Sequence, residues 1–158
     1  MVKILLKRDD VDPDRQGRWG HRPLFFAVEN GHEGVVRILL EQGHVSPDKP
    51  DSKGQTPLCF ATWYNRTRVV KILLERDDVD PDRQGRWGET PLCFTAWNGH
   101  EEVVNILLER DDVDPGRPDG FSGTALSYAI RNGHAGVIAL LQPKPTTPSK
   151  AEDASPSL

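Results

Sequence analysis

Residues 88–108 read GETPLCFTAWNGHEEVVNILL, and this segment predicts two short helices joined by a tight turn. The first helix begins at Thr90, because a threonine hydroxyl can accept an unpaired N–H at the N-cap and the proline that follows fits the first helical position. It ends at Gly99, a residue type that readily adopts the left-handed conformation of helix ends. A second helix follows from about Glu101, with its apolar residues on one stripe.

The same segment recurs along the chain with a step of 34 residues. Three markers keep this step over four copies: Val11, Val45, Val79 and Val113; Leu24, Leu58, Leu92 and Leu126; Val36, Val70, Val104 and Ile138. Helices this short are not stable alone, so each copy must bury its apolar stripe against its neighbour. The sequence therefore predicts an all-α solenoid of stacked helix-turn-helix pairs. Fingers rich in Pro, Gly and Asp project between the pairs, with one or two residues of extended pairing between fingers.

Residues 88–108 resemble the ankyrin repeat, because Thr-Pro-Leu, Asn-Gly-His and Val-Val-x-x-Leu-Leu stand in the order of that family. The resemblance covers residues 1–142, looks closest to the long-fingered repeats of filamentous fungi, and implies an ankyrin-repeat solenoid. The repeat unit is 34 residues long, one residue more than the usual 33 of an ankyrin repeat. The His that follows Thr-Pro-Leu in the family is replaced by Phe25, Cys59, Cys93 or Ser127, so its hydrogen bonds must be replaced or lost.

The pattern divides the chain into an orphan second helix at 1–10, repeats at 11–44, 45–78, 79–112 and 113–142, and a tail at 143–158. The chain opens within a repeat, so we expect it to be a piece of a longer array. The uncapped N-terminal helix is then a candidate surface for self-association. Gln142 stands where earlier copies have leucine, and Pro143 prevents continuation of the helix. The tail contains four prolines and almost no large apolar residues, which predicts disorder.

A concave surface of finger tips and first helices is the candidate site. Tryptophan and arginine are the residue types most enriched at binding hot spots, and they recur here outside the buried stripes. The predicted partner-binding residues are Arg18, Trp19, Trp63, Arg86, Trp87, Trp97, Phe121 and Arg131. Lys53 completes the row of tips, and Arg15, Arg83 and Arg117 lie a few residues earlier. An equally weighted alternative is structural: Trp19 and Trp87 cover neighbouring fingers, and Trp63 and Trp97 pack against each other.

The predicted function is a non-catalytic scaffold that binds another protein, through an extended or helical segment with acidic and apolar residues. We expect no enzymatic activity and no cofactor, since the sequence contains no nucleophile elbow, phosphate loop or dinucleotide fingerprint. A net charge of −4 gives no general attraction to nucleic acid or a membrane surface. The charged N-terminus is unlike a signal peptide, which favours an intracellular location. An alternative function is the regulatory or sensor portion of a larger signalling protein.

Calcium binding at the Asp-rich fingers is the alternative from another class. Asp78, Asp80, Asp82 and Glu89 match positions 1, 3, 5 and 12 of a calcium loop. However, Arg83 occupies the place of the required glycine. Cys59 and Cys93 recur at equivalent positions too far apart for a disulfide, which predicts reduced, packed thiols. The recurring His32, His100 and His134 predict a repeated structural role.

Overall fold

The computed structural model of the chain describes residues 11–142. Over that range there is one 3-10 turn, Arg18–Gly20, and eight α-helices in four pairs, with no strand. In chain order the helices are α1 Pro23–Glu29, α2 Glu33–Leu40, α3 Pro57–Trp63, α4 Thr67–Leu74, α5 Pro91–Asn98, α6 Glu101–Leu108, α7 Ala125–Asn132 and α8 Ala135–Leu141. The predicted orphan helix at 1–10 and the predicted disordered tail at 143–158 lie outside the described residues.

The helix boundaries follow from local chemistry. Thr90 is the N-cap of α5 and accepts the N–H of Cys93, while Gly99 ends the helix in the left-handed region at φ 76°. Both sequence predictions are confirmed. The Thr90 hydroxyl also lies 3.4 Å from the Cys93 sulfur. In the last repeat, Ser127 and Thr124 form a reciprocal capping box. The hydrogen bonds of the family's missing His are thus partly replaced by a thiol or hydroxyl contact at the same helix start.

A single apolar cluster runs through all four helix pairs. First helices pack on neighbouring first helices, and second helices pack on second helices, so the pairs stack as successive layers. Val36, Val70 and Val104 occupy equivalent positions in these layers and are all fully buried. Burial of such a side chain contributes about 2 kcal/mol. The predicted all-helical solenoid is confirmed, and its stacking leaves the first helices and fingers on one side of the array.

The first and second fingers, and likewise the third and fourth, meet through a single backbone hydrogen bond. Ser52 N–H donates to Trp19 O at 3.1 Å, and Gly120 N–H donates to Trp87 O at 2.6 Å. The residues that follow the two tryptophans are glycines with φ near +80° and +85°. Because a left-handed residue turns the chain away immediately after the bonded carbonyl, the pairing cannot continue as a ladder. The expected pairing of one or two residues is therefore one bond long and forms no strand within residues 11–142.

A side chain at the start of each later second helix reaches back to the preceding repeat. Arg66 Nε donates to Glu29 O at 2.8 Å. The His100 and His134 Nε2 atoms lie 3.3 Å and 3.0 Å from the carbonyl oxygens of Trp63 and Trp97, where a protonated ring nitrogen can donate. These carbonyls lie at the ends of first helices and lack partners within their own helices. The repeated structural role predicted for the histidines is confirmed for these two, and Arg66 takes it in the second repeat.

Candidate functional groove

The finger tips and the first helices carry exposed aromatic side chains. Trp19, Trp87 and Phe121 at the finger tips are 71%, 49% and 76% exposed, and Trp63 and Trp97 on the first helices are 45% and 42% exposed. Soluble proteins seldom keep several large aromatic side chains exposed on one surface without a binding role. We call this surface the groove: the finger tips together with the exposed sides of α1, α3, α5 and α7.

Each tryptophan on a first helix packs on an aromatic ring of the next repeat. The Trp63 ring contacts that of Phe94 edge to face, with centroids 5.4 Å apart and an interplanar angle of 79°. The Trp97 ring lies 5.1 Å from that of Tyr128. These rings are the main contacts, rather than the pairing of Trp63 with Trp97 that the structural alternative proposed. One edge of each tryptophan is fixed by packing while the other remains open to solvent.

Two adjacent concavities lie along the groove. The first has a volume of about 300 Å³ and includes His21, Glu29, Lys53, Phe60 and Tyr64 in its wall. The second, of about 210 Å³, lies between the third and fourth repeats. Its wall is formed by Trp63, Glu89, Cys93, Phe94, Trp97, Asp119, Phe121 and Tyr128. Trp63 and Phe94 belong to both walls, so one bound segment can contact both concavities.

The arginines near the fingers fall into two groups. Arg83 binds Asp48 at 2.8 Å and Arg117 binds Asp82 at 2.7 Å, so each is paired with the preceding finger. Burial nevertheless outweighs the arginines and raises the pKa values of both carboxyl groups, so desolvation offsets part of what these pairs contribute to stability. By contrast, the tip residues Arg18 and Arg86, like Arg131 on α7, are exposed and form no salt bridge within residues 11–142.

The repeat geometry agrees with a comparison to known families. A family model described as ankyrin repeats, in three copies, matches residues 1–85 and again residues 77–150. The chain belongs to the ankyrin repeat family. No curated protein matches it significantly. Ankyrin repeats generally mediate protein–protein interactions, and proteins built from them are typically non-catalytic scaffolds.

A buried carboxylate and a half-buried tyrosine form a hydrogen-bonded pair at the base of the fourth ankyrin finger. Asp119 Oδ1 accepts the N–H groups of Phe121 and Gly123 at 2.8 Å and 2.7 Å. The Tyr128 hydroxyl donates to Asp119 Oδ2. Burial alone would raise the pKa of Asp119, but these three bonds together lower it below its ordinary value. Burial, followed by the hydrogen bond and charge of Asp119, raises the pKa of Tyr128 to about 12.

We expect Tyr128→Phe to lower the free energy of unfolding by about 2 kcal/mol at pH 7, because a buried carboxylate loses one donor. The pKa of Asp119 is lower in the folded protein than its ordinary value of 3.8. The Asp119 carboxylate therefore stabilises the fold at pH values above 3.8, and this contribution is lost as the pH falls through the lowered pKa. Urea unfolding should therefore show a smaller difference between wild type and variant at pH 3 than at pH 7. Tyr64→Phe, at the exposed tyrosine, is the control and should change stability by under about 0.5 kcal/mol. A pH-independent difference would contradict this account.

The acidic residues of the third finger do not converge on one point. Asp78 accepts two hydrogen bonds from Arg76 at 2.7 Å and 2.8 Å, and Asp82 is paired with Arg117 as described above. Glu89 Oε2 accepts the N–H of Trp87 at 3.1 Å. Within residues 11–142 there is no group of three or more His, Cys, Asp or Glu side chains placed to hold a metal ion. The calcium alternative receives no support from this arrangement.

The two cysteines are buried and free, as predicted. Burial raises the pKa of Cys59 to about 11 and raises that of Cys93 as well. A thiol with a raised pKa is a poor nucleophile at neutral pH. Both side chains therefore belong to the packing of the repeats.

No helix in the part of the chain that the structure describes has the length and apolar composition needed to cross a membrane.

Four groove residues do not follow from the sequence pattern used above: Phe94, Tyr128, Glu89 and Asp119. Phe94 and Tyr128 stand at one repeat position, where they are available to pack against the tryptophan of the preceding repeat. Their recurrence at a step of 34 residues was a usable signal. Asp119 resembles ordinary turn chemistry in the sequence, and only the fold brings it beside Tyr128.

Proposed function

We propose that this ankyrin repeat array binds a segment of a partner protein in the groove. The observation that supports this function is the row of fixed but solvent-exposed aromatic rings, above all Trp63 and Trp97. A ring held on one edge loses little conformational entropy when a partner covers the other edge. Such preorganised aromatic side chains are typical of hot spots.

The two tryptophans are not explained by the needs of the fold. Glu29 and Arg131 occupy the same position in the first and last repeats, so the helix pair accepts polar residues there. The apolar cluster of the core includes neither Trp63 nor Trp97. We infer that these two positions carry tryptophan for recognition rather than for stability.

The proposed ligand is an extended or helical segment with apolar anchors. Its anchors would contact Trp63 and Trp97, while Trp19, Trp87 and Phe121 would contact it from the finger tips. Arg18, Arg86 and Arg131 are available to bind carboxylates at the periphery. Arg83 and Arg117 are excluded from this role because they already pair with finger carboxylates.

Peptides selected from a random display library against the folded chain supply a defined ligand for the test. We expect Trp63→Ala and Trp97→Ala each to weaken the dissociation constant of such peptides about 30-fold, equivalent to about 2 kcal/mol. Isothermal titration calorimetry measures the change, and thermal melts establish that each variant is folded.

Ile130→Ala is the matched control for this experiment. Ile130 is a large exposed apolar side chain on α7, yet it lies outside both concavities. We expect its replacement to change affinity less than about twofold. Selected peptides that bind the folded tryptophan variants as tightly as wild type would refute the groove as the binding site.

We further propose an intracellular setting and no direct role in binding nucleic acid, lipid or a cofactor. The tip arginines are accompanied by finger carboxylates, so the surface lacks the continuous basic stripe of a nucleic-acid site. Kinship with the long-fingered fungal arrays, a regulatory role within a larger protein and self-association through residues 1–10 remain proposals from the sequence. The last two are tested by purifying the full gene product and measuring its mass and partners.

A further inference from the structure

The second concavity of the groove, between the third and fourth repeats, combines aromatic walls with negative charge. Five aromatic side chains line it: Trp63, Phe94, Trp97, Phe121 and Tyr128. Glu89 and Asp119 contribute carboxyl groups to the same wall. Among the described residues no Lys, Arg or His lines this concavity, whereas the neighbouring one includes His21 and Lys53.

Among the described residues, neither carboxylate of this concavity has a basic side chain at salt-bridge distance, whereas Asp51, at the repeat position of Asp119, has one. Asp51, two repeats before Asp119, has His21 Nε2 at 3.4 Å. Asp119 and Glu89 form no salt bridge among the residues described. Arg131 shares α7 with Tyr128, but it is exposed and lies outside the wall. The wall of the concavity therefore places two carboxyl groups next to aromatic rings and contains no basic side chain.

We propose that this concavity binds an arginine side chain of the partner segment. The inference rests on the proposed function, because the partner must supply the arginine. A cation over the face of an aromatic ring is attracted by the negative charge of that face. The carboxylates of Glu89 and Asp119 add a Coulomb attraction that is weakened only partly by solvent in a recess. The cation–π attraction and the Coulomb attraction act on any cation. The preference for one cation over another depends on how strongly each is hydrated.

Arginine fits this site better than lysine for two reasons. Its guanidinium is planar, stacks on aromatic rings and is more weakly hydrated than an ammonium group. In addition, Asp119 already accepts three hydrogen bonds, and one Glu89 oxygen accepts the N–H of Trp87. Few acceptors are left to replace the water around a lysine ammonium, whereas an edge-on guanidinium can keep its outer donors in solvent.

The direct probe is arginine capped as the N-acetyl methylamide, compared with the same derivatives of citrulline and lysine. Citrulline has the shape of arginine without its charge. Nuclear magnetic resonance of the indole N–H groups reports on the four tryptophans separately. We expect capped arginine to shift the Trp63 and Trp97 signals with a dissociation constant near 1 mM, and to leave Trp19 unchanged. Citrulline and lysine should bind about fivefold more weakly or worse. Citrulline or lysine binding as tightly as arginine, or equal shifts at Trp19, would overturn the proposal.

Glu89→Gln removes one charge and keeps an oxygen for the Trp87 N–H. We expect it to weaken capped arginine about fivefold and to leave citrulline unaffected. Glu109→Gln, at an exposed glutamate outside both concavities, is the matched control and should change neither. Asp119→Asn tests the second charge and should act in the same direction, with thermal melts confirming the fold. An unchanged preference for arginine over citrulline in Glu89→Gln and Asp119→Asn would refute the role of the carboxylates.

Failure of this inference is distinguishable from failure of the groove as a binding site. Selected peptides that depend on Trp63 and Trp97 but bind equally after every arginine is replaced by citrulline would refute only the arginine site. Selected peptides that ignore both tryptophans would refute the proposed function as well.

Discussion

Ala96→Glu should unfold the array, whereas Ile130→Glu at the equivalent position of the next repeat should leave it folded. Ala96 is 0% exposed on α5. A glutamate there must either bury an unpaired charge or become protonated, and it also overfills the layer. We expect a loss of at least about 4 kcal/mol, which is a large fraction of the roughly 5–15 kcal/mol by which native domains are stable. Circular dichroism at 222 nm during urea unfolding measures it.

The contrast with Ile130 follows from the stacking of the repeats. Val28 and Thr62, the equivalents of Ala96 in the first two repeats, are also fully buried, while Ile130 in the last repeat is 58% exposed. The position is therefore covered by the following helix pair, and residues 11–142 contain no such pair after α8. We expect Ile130→Glu to change stability by less than about 0.5 kcal/mol. Equal destabilisation by both variants would mean that this face of α7 is covered in solution.

Local chemistry explains which parts of the fold could be predicted from the sequence. The ends of α5 at Thr90 and Gly99 depend on residues within one turn of the helix, so the sequence pattern located them correctly. The buried positions Val36, Val70 and Val104 follow from the repeat step, because every layer has the same neighbours. Where geometry repeats, one correctly assigned copy locates the others.

Contacts between repeats were harder to predict because they depend on side-chain direction. Arg83 and Arg117 were grouped with the tip arginines, but they bind Asp48 and Asp82 of the preceding fingers. Lys49 and Asp14 form a longer version of the same pair, at 3.5 Å. The spacing of these pairs is constant at 35 residues, yet a turn carboxylate in the sequence carries no indication of which neighbour it contacts. The exposure of Trp63 and Trp97 was predictable from the repeat step. The recurrence of an aromatic residue at the position of Phe94 and Tyr128 was visible as well, but the sequence does not indicate which side chain each tryptophan packs against.

Gly88→Ser should cost about 3 kcal/mol, the second large effect expected in this molecule. Gly88 has φ +85°, and a Cβ atom added there would lie 2.6 Å from Gly120 N and 3.0 Å from the carbonyl carbon of Asp119. The left-handed conformation costs a non-glycine residue about 1–2 kcal/mol. The contact with the backbone of the next finger adds to this cost, since it must displace the Gly120 N–H from Trp87 O. Urea unfolding measures the total.

Ser122 provides the matched comparison, because it occupies the same finger position in the fourth repeat with φ +63°. No later finger packs on it within residues 11–142, so only the backbone strain applies. We expect Ser122→Gly to stabilise the protein by up to about 1 kcal/mol. The pair of variants thus separates the conformational cost from the cost of the contact between fingers.

Gly88→Ser should also impair the proposed arginine site in molecules that remain folded. Gly120 lies between Asp119 and Phe121, which both line the second concavity, so a displaced fourth finger moves a carboxylate and an aromatic ring away from Trp97. Capped arginine should then bind the variant more weakly than it binds wild type at a temperature where both are folded. A Gly88→Ser protein with wild-type stability would show that the third and fourth fingers are not in contact in solution. In that case the close approach of Trp87 to Gly120 would not determine the shape of the groove.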